Sequence, residues 1–503
     1  MRRATILLLT LAAIASAQTP VETARTYRQA HEVEILQQFA ELLRIPNVAR
    51  DTVNIQRNAD YVAAEFAKRG VKTQLLSSYG APPLVFGELN VPGATRTLGI
   101  YAHYDGQPVD PSQWLQSPWE PTLWTARHDE GGHAIEFPEP GEKVDPEWRL
   151  YARSAGDDKA PIVALLAALD AFNQKGIKPT ANLKFLFDGE EEAGSPHLGA
   201  YLTTHRDKFA DVDVWLFCDG PVHQSRKPQL LFGARGDAHM DVTIYGANRP
   251  LHSGHYGNWA PVPAMELAQL LASMKDQNGK VIIEEFYDSV APLGDEERAA
   301  LAKMPNYEDE LKTELGLAWT EGQGETLPER LLLPALTVRG LSSGHTGALA
   351  TNIIPNTATA ALDVRLVKGN DPEKMLDLVE RHIRQRGFHV VPEDPDEETR
   401  QQHPKIAKVT RSRGYPAART EMSLPIAKDI AAAMTEAAGE EVLLVPTMGG
   451  SLPLYLFTDL LGKPVLLLPI ANHDNNQHAE NESLRLANLW YGVDAFAAVM
   501  AME

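Results

Sequence analysis

Six short stretches of this chain gather side chains that can bind a cation or carry a proton. YAHYDG (101–106) places His103 and Asp105 two residues apart, where a neutral imidazole can ligate a metal and a nearby carboxylate can orient it. Alone, the pair also reads as a capped strand end. YARSAGDDKAP (151–161) sets Asp157 and Asp158 beside Lys159 at the opening of an apolar helix, either as acids favoured at a helix start or as ligands. FLFDGEEEAGS (185–195) carries Asp188, Glu190, Glu191 and Glu192, four acids in five residues that repel one another unless a cation or solvent relieves them. WLFCDG (215–220) contributes Asp219, and NHDNNQHAENESL (472–484) contributes His473, His478, Glu480 and Glu482. PLHSGHYGN (250–258) has His252 and His255 three apart, open to ligation, catalysis or an ordinary loop role. Imidazole and carboxylate together form the donor set of a water-activating metal site, which suits zinc and leaves manganese or cobalt open.

Such residues act together only if the fold brings them to one edge. The run 97–102 (TLGIYA) reads as a buried strand ending on His103, 183–187 as another ending on Asp188, and 212–217 as a third just before Asp219. Residues 161–173 are apolar at helical spacing and stop near Gly176, with Pro161 in the first turn, where a missing N–H is harmless. Residues 25–44 and 54–69 read as amphipathic helices. Strands alternating with helices predict an α/β domain with a mostly parallel sheet, whose sites form beyond the carboxyl ends of the strands.

After Asp219 the texture changes. Segments 239–246 and 358–367 alternate like half-exposed strands, with helical stretches near 261–275 and 372–386 and a charged region at 284–330. The stretch 392–404 reads as a loop or linker. A helix over 424–438, strands near 442–446 and 464–468, and a terminal helix from about Ser483 restore the α/β pattern. The expected organisation is an α/β domain in two parts, 18–235 and 415–503, around an α+β insert at 236–414.

The 503 residues exceed what one hydrophobic core usually serves. With 44% apolar and 23% charged residues, disorder across the chain is excluded. A formal charge of −20 repels nucleic acid and anionic membranes, so neither is an expected partner. At the N-terminus, Arg2 and Arg3 precede an apolar run over 6–15 and then Ala15-Ser16-Ala17, the pattern of a secretory signal peptide over 1–17. A periplasmic or secreted protein is expected, with no membrane segment after signal removal. The single cysteine, Cys218, excludes an intrachain disulfide and reads as a small core residue. Histidines 128 and 133, in 127–149, read as surface residues. No G-x-S-x-G elbow is present, and the serines of SSGHTG (342–347) lie in the insert without strand–turn–helix context.

As a set, LYARSAGDDKAP, DGEEEAGS, LHSGHYG, LDVRLV, MGGSLP and the NQHAENE box resemble the dinuclear zinc peptidases that include carnosinase, cytosolic non-specific dipeptidase, aminoacylase and carboxypeptidase G. The likeness runs from about residue 30 to the C-terminus and is nearest the carnosinase-like dipeptidase branch. It implies a zinc-peptidase catalytic domain with an inserted lid and dimerisation domain, and a homodimer. By this resemblance His103 and Asp219 bind the first zinc, Glu192 and His478 the second, and Asp157 bridges both; Asp105 supports His103, and Glu191 is the general base. His252 is similar to the histidine that reaches a neighbouring subunit's site to stabilise the oxyanion. Arg365 is similar to the arginine that grips a substrate carboxylate, with Asn352, Gly450 and Ser451 beside the substrate. Ala152-Arg153-Ser154 replaces the family's GRG loop, Ala160 replaces a glycine, and HYDGQP departs from the commoner first box. The implied reaction is hydrolysis of the amide bond of a dipeptide or very short peptide. A deacylase of N-acyl amino acids would use the same metals, and a metal-binding protein without activity would have no use for Glu191.

Overall fold

The computed structural model describes residues 18–502 apart from 79 and 323. The expected signal peptide, 1–17, lies outside the described residues.

Apolar runs such as Thr97–His103, buried along its whole length, form the centre of an eight-stranded sheet. Its order is Lys72–Leu76, Leu84–Leu89, Asn182–Asp188, Thr97–His103, Val214–Phe217, Val465–Leu467, Gln229–Leu231 and Leu443–Val445. The central strands Asn182–Asp188, Thr97–His103, Val214–Phe217 and Val465–Leu467 are mutually parallel, as are Gln229–Leu231 and Leu443–Val445. The pairings of Leu84–Leu89 with both its neighbours, and of Val465–Leu467 with Gln229–Leu231, are antiparallel. Gly99 lets Trp215 lie on the sheet: a Cβ there would stand 2.4 Å from the indole. Helix Lys159–Lys175 is apolar almost all round and buried to match, and it ends where Gly176 adopts a left-handed conformation (φ 67°). Helices Leu486–Met500 and Pro425–Ala438 share the core on that face.

A second sheet is built around the long strand Gly233–Tyr245. Strands Ala335–Ser342, Thr357–Leu366, Ile406–Tyr415 and His389–Val391 complete its main path, and its buried face carries helices Pro263–Ala272 and Pro372–Gln385. Strand Gly233–Tyr245 runs through position 235/236, so the chain passes from one sheet toward the other in continuous strand rather than through a linker. Its first residues pair with Ala418–Arg419 and Met448–Ser451, which brings the late segment 448–451 against the start of the second sheet.

Three local expectations need correction. Residues 25–44 form two helices, Pro20–Ala30 and Glu32–Leu43, broken at His31, because the first lies against both Leu486–Met500 and Lys159–Lys175, whereas the second packs mainly on Lys159–Lys175. The stretch 392–404 contains a helix, Glu397–Gln402, nucleated by the Asp396 side chain accepting the Thr399 N–H at 2.8 Å. His128 is half-buried rather than superficial, its ring edge-on to those of Trp124 and Tyr151, whereas His133 is exposed.

Candidate metal centre

Because the central strands run parallel, their carboxyl ends share one edge, and the acidic loops meet there. His103, the last residue of its strand, is fully buried, with Nε2 2.9 Å from Asp157 Oδ1 and 4.0 Å from both Asp219 Oδ2 and Glu191 Oε2. The other oxygen of Asp157 lies 3.1 Å from His478 Nε2, which is 3.2 Å from Glu192 Oε2. Two ligand sets result, His103–Asp157–Asp219 and Asp157–Glu192–His478, each with donor atoms within 4.8 Å of one another. Asp157 belongs to both.

The supports behind these ligands are as definite. Asp105 receives the backbone N–H of Glu191 on one oxygen (3.0 Å) and that of Glu192 on the other (3.1 Å), and its Oδ1 lies 3.4 Å from His103 Nδ1. One buried carboxylate thus orients an imidazole and the turn that carries Glu191 and Glu192. Asp158 accepts the His103 backbone N–H.

Burial raises the cost of so much negative charge. It pushes the Glu191 carboxyl well above the usual range, with Asp219, Glu192 and Asp105 adding to the rise and His103 opposing it. Burial lifts Asp219 to about 7 and Asp105 to about 6. Hydrogen bonds to Asp157 and Glu192 raise His478 to about 10. Cations set between such groups would replace protons and relieve the repulsion, so the donor chemistry fits divalent metal.

Residues 99–502 match the peptidase family M20/M25/M40. The chain belongs to that family. It is 26% identical over 479 residues to the Cys-Gly metallodipeptidase dug1 of Schizosaccharomyces pombe, covering 92% of this chain and 94% of the relative. It is 26% identical over 474 residues to the human Beta-Ala-His dipeptidase, covering 91% and 84%. A solved M20 family metallo-carboxypeptidase of Sulfolobus solfataricus superposes with a TM-score of 0.75 at 27% identity, covering 93% of this chain and 98% of that one. This M20-family chain is a metal-dependent peptide hydrolase.

Beside the carboxylate cluster, Arg365 Nη1 donates to Ser451 Oγ at 2.7 Å, and Arg365 Nε to Asp363 at 3.0 Å. Ser451 shares a cavity of about 230 Å³ with Glu191, Glu192 and His478, and Gly450 precedes it on strand Met448–Ser451. His252 and Asn352 sit elsewhere. Both are exposed and adjacent, with the Ser253 N–H donating to the Asn352 carbonyl at 2.9 Å, and no described contact joins either to the carboxylate cluster.

Sequence reading assigned no role to several residues that shape this site. Glu482, fully buried, accepts the backbone N–H groups of Ser154, Gly156 and Asp157 and a 2.8 Å bond from Arg153 Nη1. Gln107 Nε2 donates to Glu192 at 2.8 Å. Arg235, also buried, donates to the Leu333 carbonyl beside Arg365. Glu482 belongs to the NHDNNQHAENESL motif with His473, His478 and Glu480, but nothing local ties it to a loop more than 300 residues away.

Proposed function

We propose that this protein is a dipeptidase holding two zinc ions and acting as a homodimer. The observation that carries the reading is the pair of ligand sets sharing Asp157, with the Glu191 carboxylate 4.0 Å from His103 Nε2. When bound, zinc supplies Lewis-acid activation of a water and of the scissile carbonyl. Glu191 accepts the proton of the attacking water and returns it to the leaving amine, from a position 4.0 Å from His103 Nε2 in the same cavity as Glu192 and His478. Asp105 keeps Glu191 in place through the backbone N–H it accepts. Arg365, braced by Asp363 and Ser451, holds the substrate's terminal carboxylate, which restricts the enzyme to very short peptides. The names of the fission-yeast and human relatives, both dipeptidases, support the same substrate class.

His252 and Asn352 complete the site from a second subunit in this reading. Exposed apolar residues near them in the second sheet's unit, Trp259 at 80%, Leu349 at 70% and Leu341 at 64%, suit an interface. Residues 1–17 act as a cleaved leader and direct the protein to the periplasm or exterior; N-terminal sequencing of the protein from its native cells tests this, and an intact Met1 would overturn it.

The decisive assay compares a free dipeptide, its N-acetyl form and its C-terminal amide, with a chelated control. Cleavage of the free dipeptide, lost on chelation and on amidation, is the expected result. Preference for the N-acetyl substrate would replace the dipeptidase reading with a deacylase.

A further inference from the structure

The cavity beside Glu191 has one wall that neither the metal ligands nor the carboxylate anchor explains. Tyr415 and Tyr455 stack there with ring centroids 5.5 Å apart and planes 17° from parallel, and Pro453 and Leu456 extend the apolar surface. Both rings line the same space as Glu191, Ser451 and His478.

Tyr415 is fixed by the sheet. It ends strand Ile406–Tyr415 opposite Asp237, and Asp237 stands opposite Arg365 on the other neighbouring strand. Residues directly opposite on adjacent strands share a face, so Tyr415, Asp237 and Arg365 form one row. The Ser451 hydroxyl accepts from Arg365 Nη1 at 2.7 Å and lines the same cavity as Tyr415, which sets the ring next to the anchor. Tyr455 is packed against the core that includes Leu454, Phe457 and Trp215. The wall is therefore formed before any substrate arrives.

We propose that Tyr415 and Tyr455 are specificity-determining residues that receive a flat ring, aromatic or imidazole, on the carboxylate-bearing residue of the substrate. The inference rests on the reading that Arg365 takes that carboxylate. A residue held there by its carboxylate has its side chain within reach of the row's end. A planar side chain gains offset or edge-on contact with the tyrosines beyond the apolar area it buries, whereas a methyl group gains almost nothing. The two contributions together correspond to a preference of about tenfold or more.

The test uses zinc-loaded full-length protein and kcat/KM for glycyl-phenylalanine against glycyl-alanine, and for N-acetyl-phenylalanine against N-acetyl-alanine. Wild type is expected to favour phenylalanine about tenfold, chiefly in KM, and Tyr455→Ala is expected to bring the ratio close to one. Tyr455→Leu serves if the alanine variant does not fold. Tyr415→Phe keeps the ring and is expected to keep most of the preference. A wild-type ratio near one, with the dipeptides still cleaved, overturns the wall and leaves the dipeptidase reading standing. A tenfold ratio seen only among N-acetyl substrates upholds the wall and overturns the dipeptidase reading. If no substrate turns over, calorimetric binding of free phenylalanine against alanine decides: equal or absent binding of both overturns the proposal, and tighter binding of phenylalanine that Tyr455→Ala abolishes upholds it.

Discussion

The backbone N–H of Asp157, the carboxylate common to both ligand sets, donates to Glu482 Oε1 at 2.9 Å. The same carboxylate takes the N–H groups of Ser154 and Gly156 and pairs with Arg153, so one buried acid from the end of the chain shapes the loop that presents Asp157. Replacing it with alanine leaves three N–H groups and a guanidinium buried without their acceptor. Glu482→Ala is therefore expected to lower stability by about 3–5 kcal/mol and to weaken metal binding. Glu482→Gln keeps one acceptor oxygen and should lose less. Denaturant unfolding with and without chelator measures both effects, and an alanine variant as stable as wild type would sink the idea.

Glu191 touches no ligand atom closely; its nearest described approach to one is the 4.0 Å separation from His103 Nε2. Removing a proton carrier without removing a ligand separates chemistry from binding. Glu191→Ala should lower kcat by roughly 10²–10⁴ while the metal content, read by elemental analysis, stays at the wild-type value. Loss of metal together with activity would reassign Glu191 as a ligand.

His252 is exposed and distant in contact from the carboxylate cluster of its own chain. If it serves the neighbouring subunit, His252→Ala and Glu191→Ala each inactivate different parts of a shared site. Mixing the two inactive variants under subunit exchange should restore activity, because one site of the mixed dimer then has both groups. A mixture as inactive as its components argues for action within one chain, and full activity of His252→Ala alone removes it from the mechanism.

Buried neutral histidines make stability fall on acidification. His382 is buried, with Nε2 2.9 Å from Ser273 Oγ and accepting from Arg386 Nε. Burial, then the Arg386 charge, holds its pKa below the usual imidazole range; burial is also the largest cause lowering His223 and His473. The unfolded chain protonates these rings below about pH 6.5 and the folded chain resists, so stability is full above that value and declines as pH falls through it. His382→Gln should flatten this decline in denaturant midpoints compared between about pH 7.5 and about pH 5.5. An unchanged slope would mean His382 contributes nothing to it.

Local chemistry made a good part of this protein legible without coordinates. The apolar runs over 97–103 and 182–188 have the composition of strands buried on both faces, and they are such strands. Their polar ends, His103 and the acids after Phe187, stand out in the sequence because charge directly after a buried strand has to be solvated, paired or metal-bound. The break at His31 and the helix Glu397–Gln402 were not legible: the first is set by the extra packing of Pro20–Ala30 on Leu486–Met500, and the second by a single capping carboxylate in an acidic stretch. What only the tertiary structure decided is which distant residues meet. Arg153 and Glu482 are 329 positions apart, and Arg365 and Ser451 are 86 apart. A residue's type and its neighbours in sequence determine how costly it is to bury, but only the crossing of the strands determines which group offsets that cost.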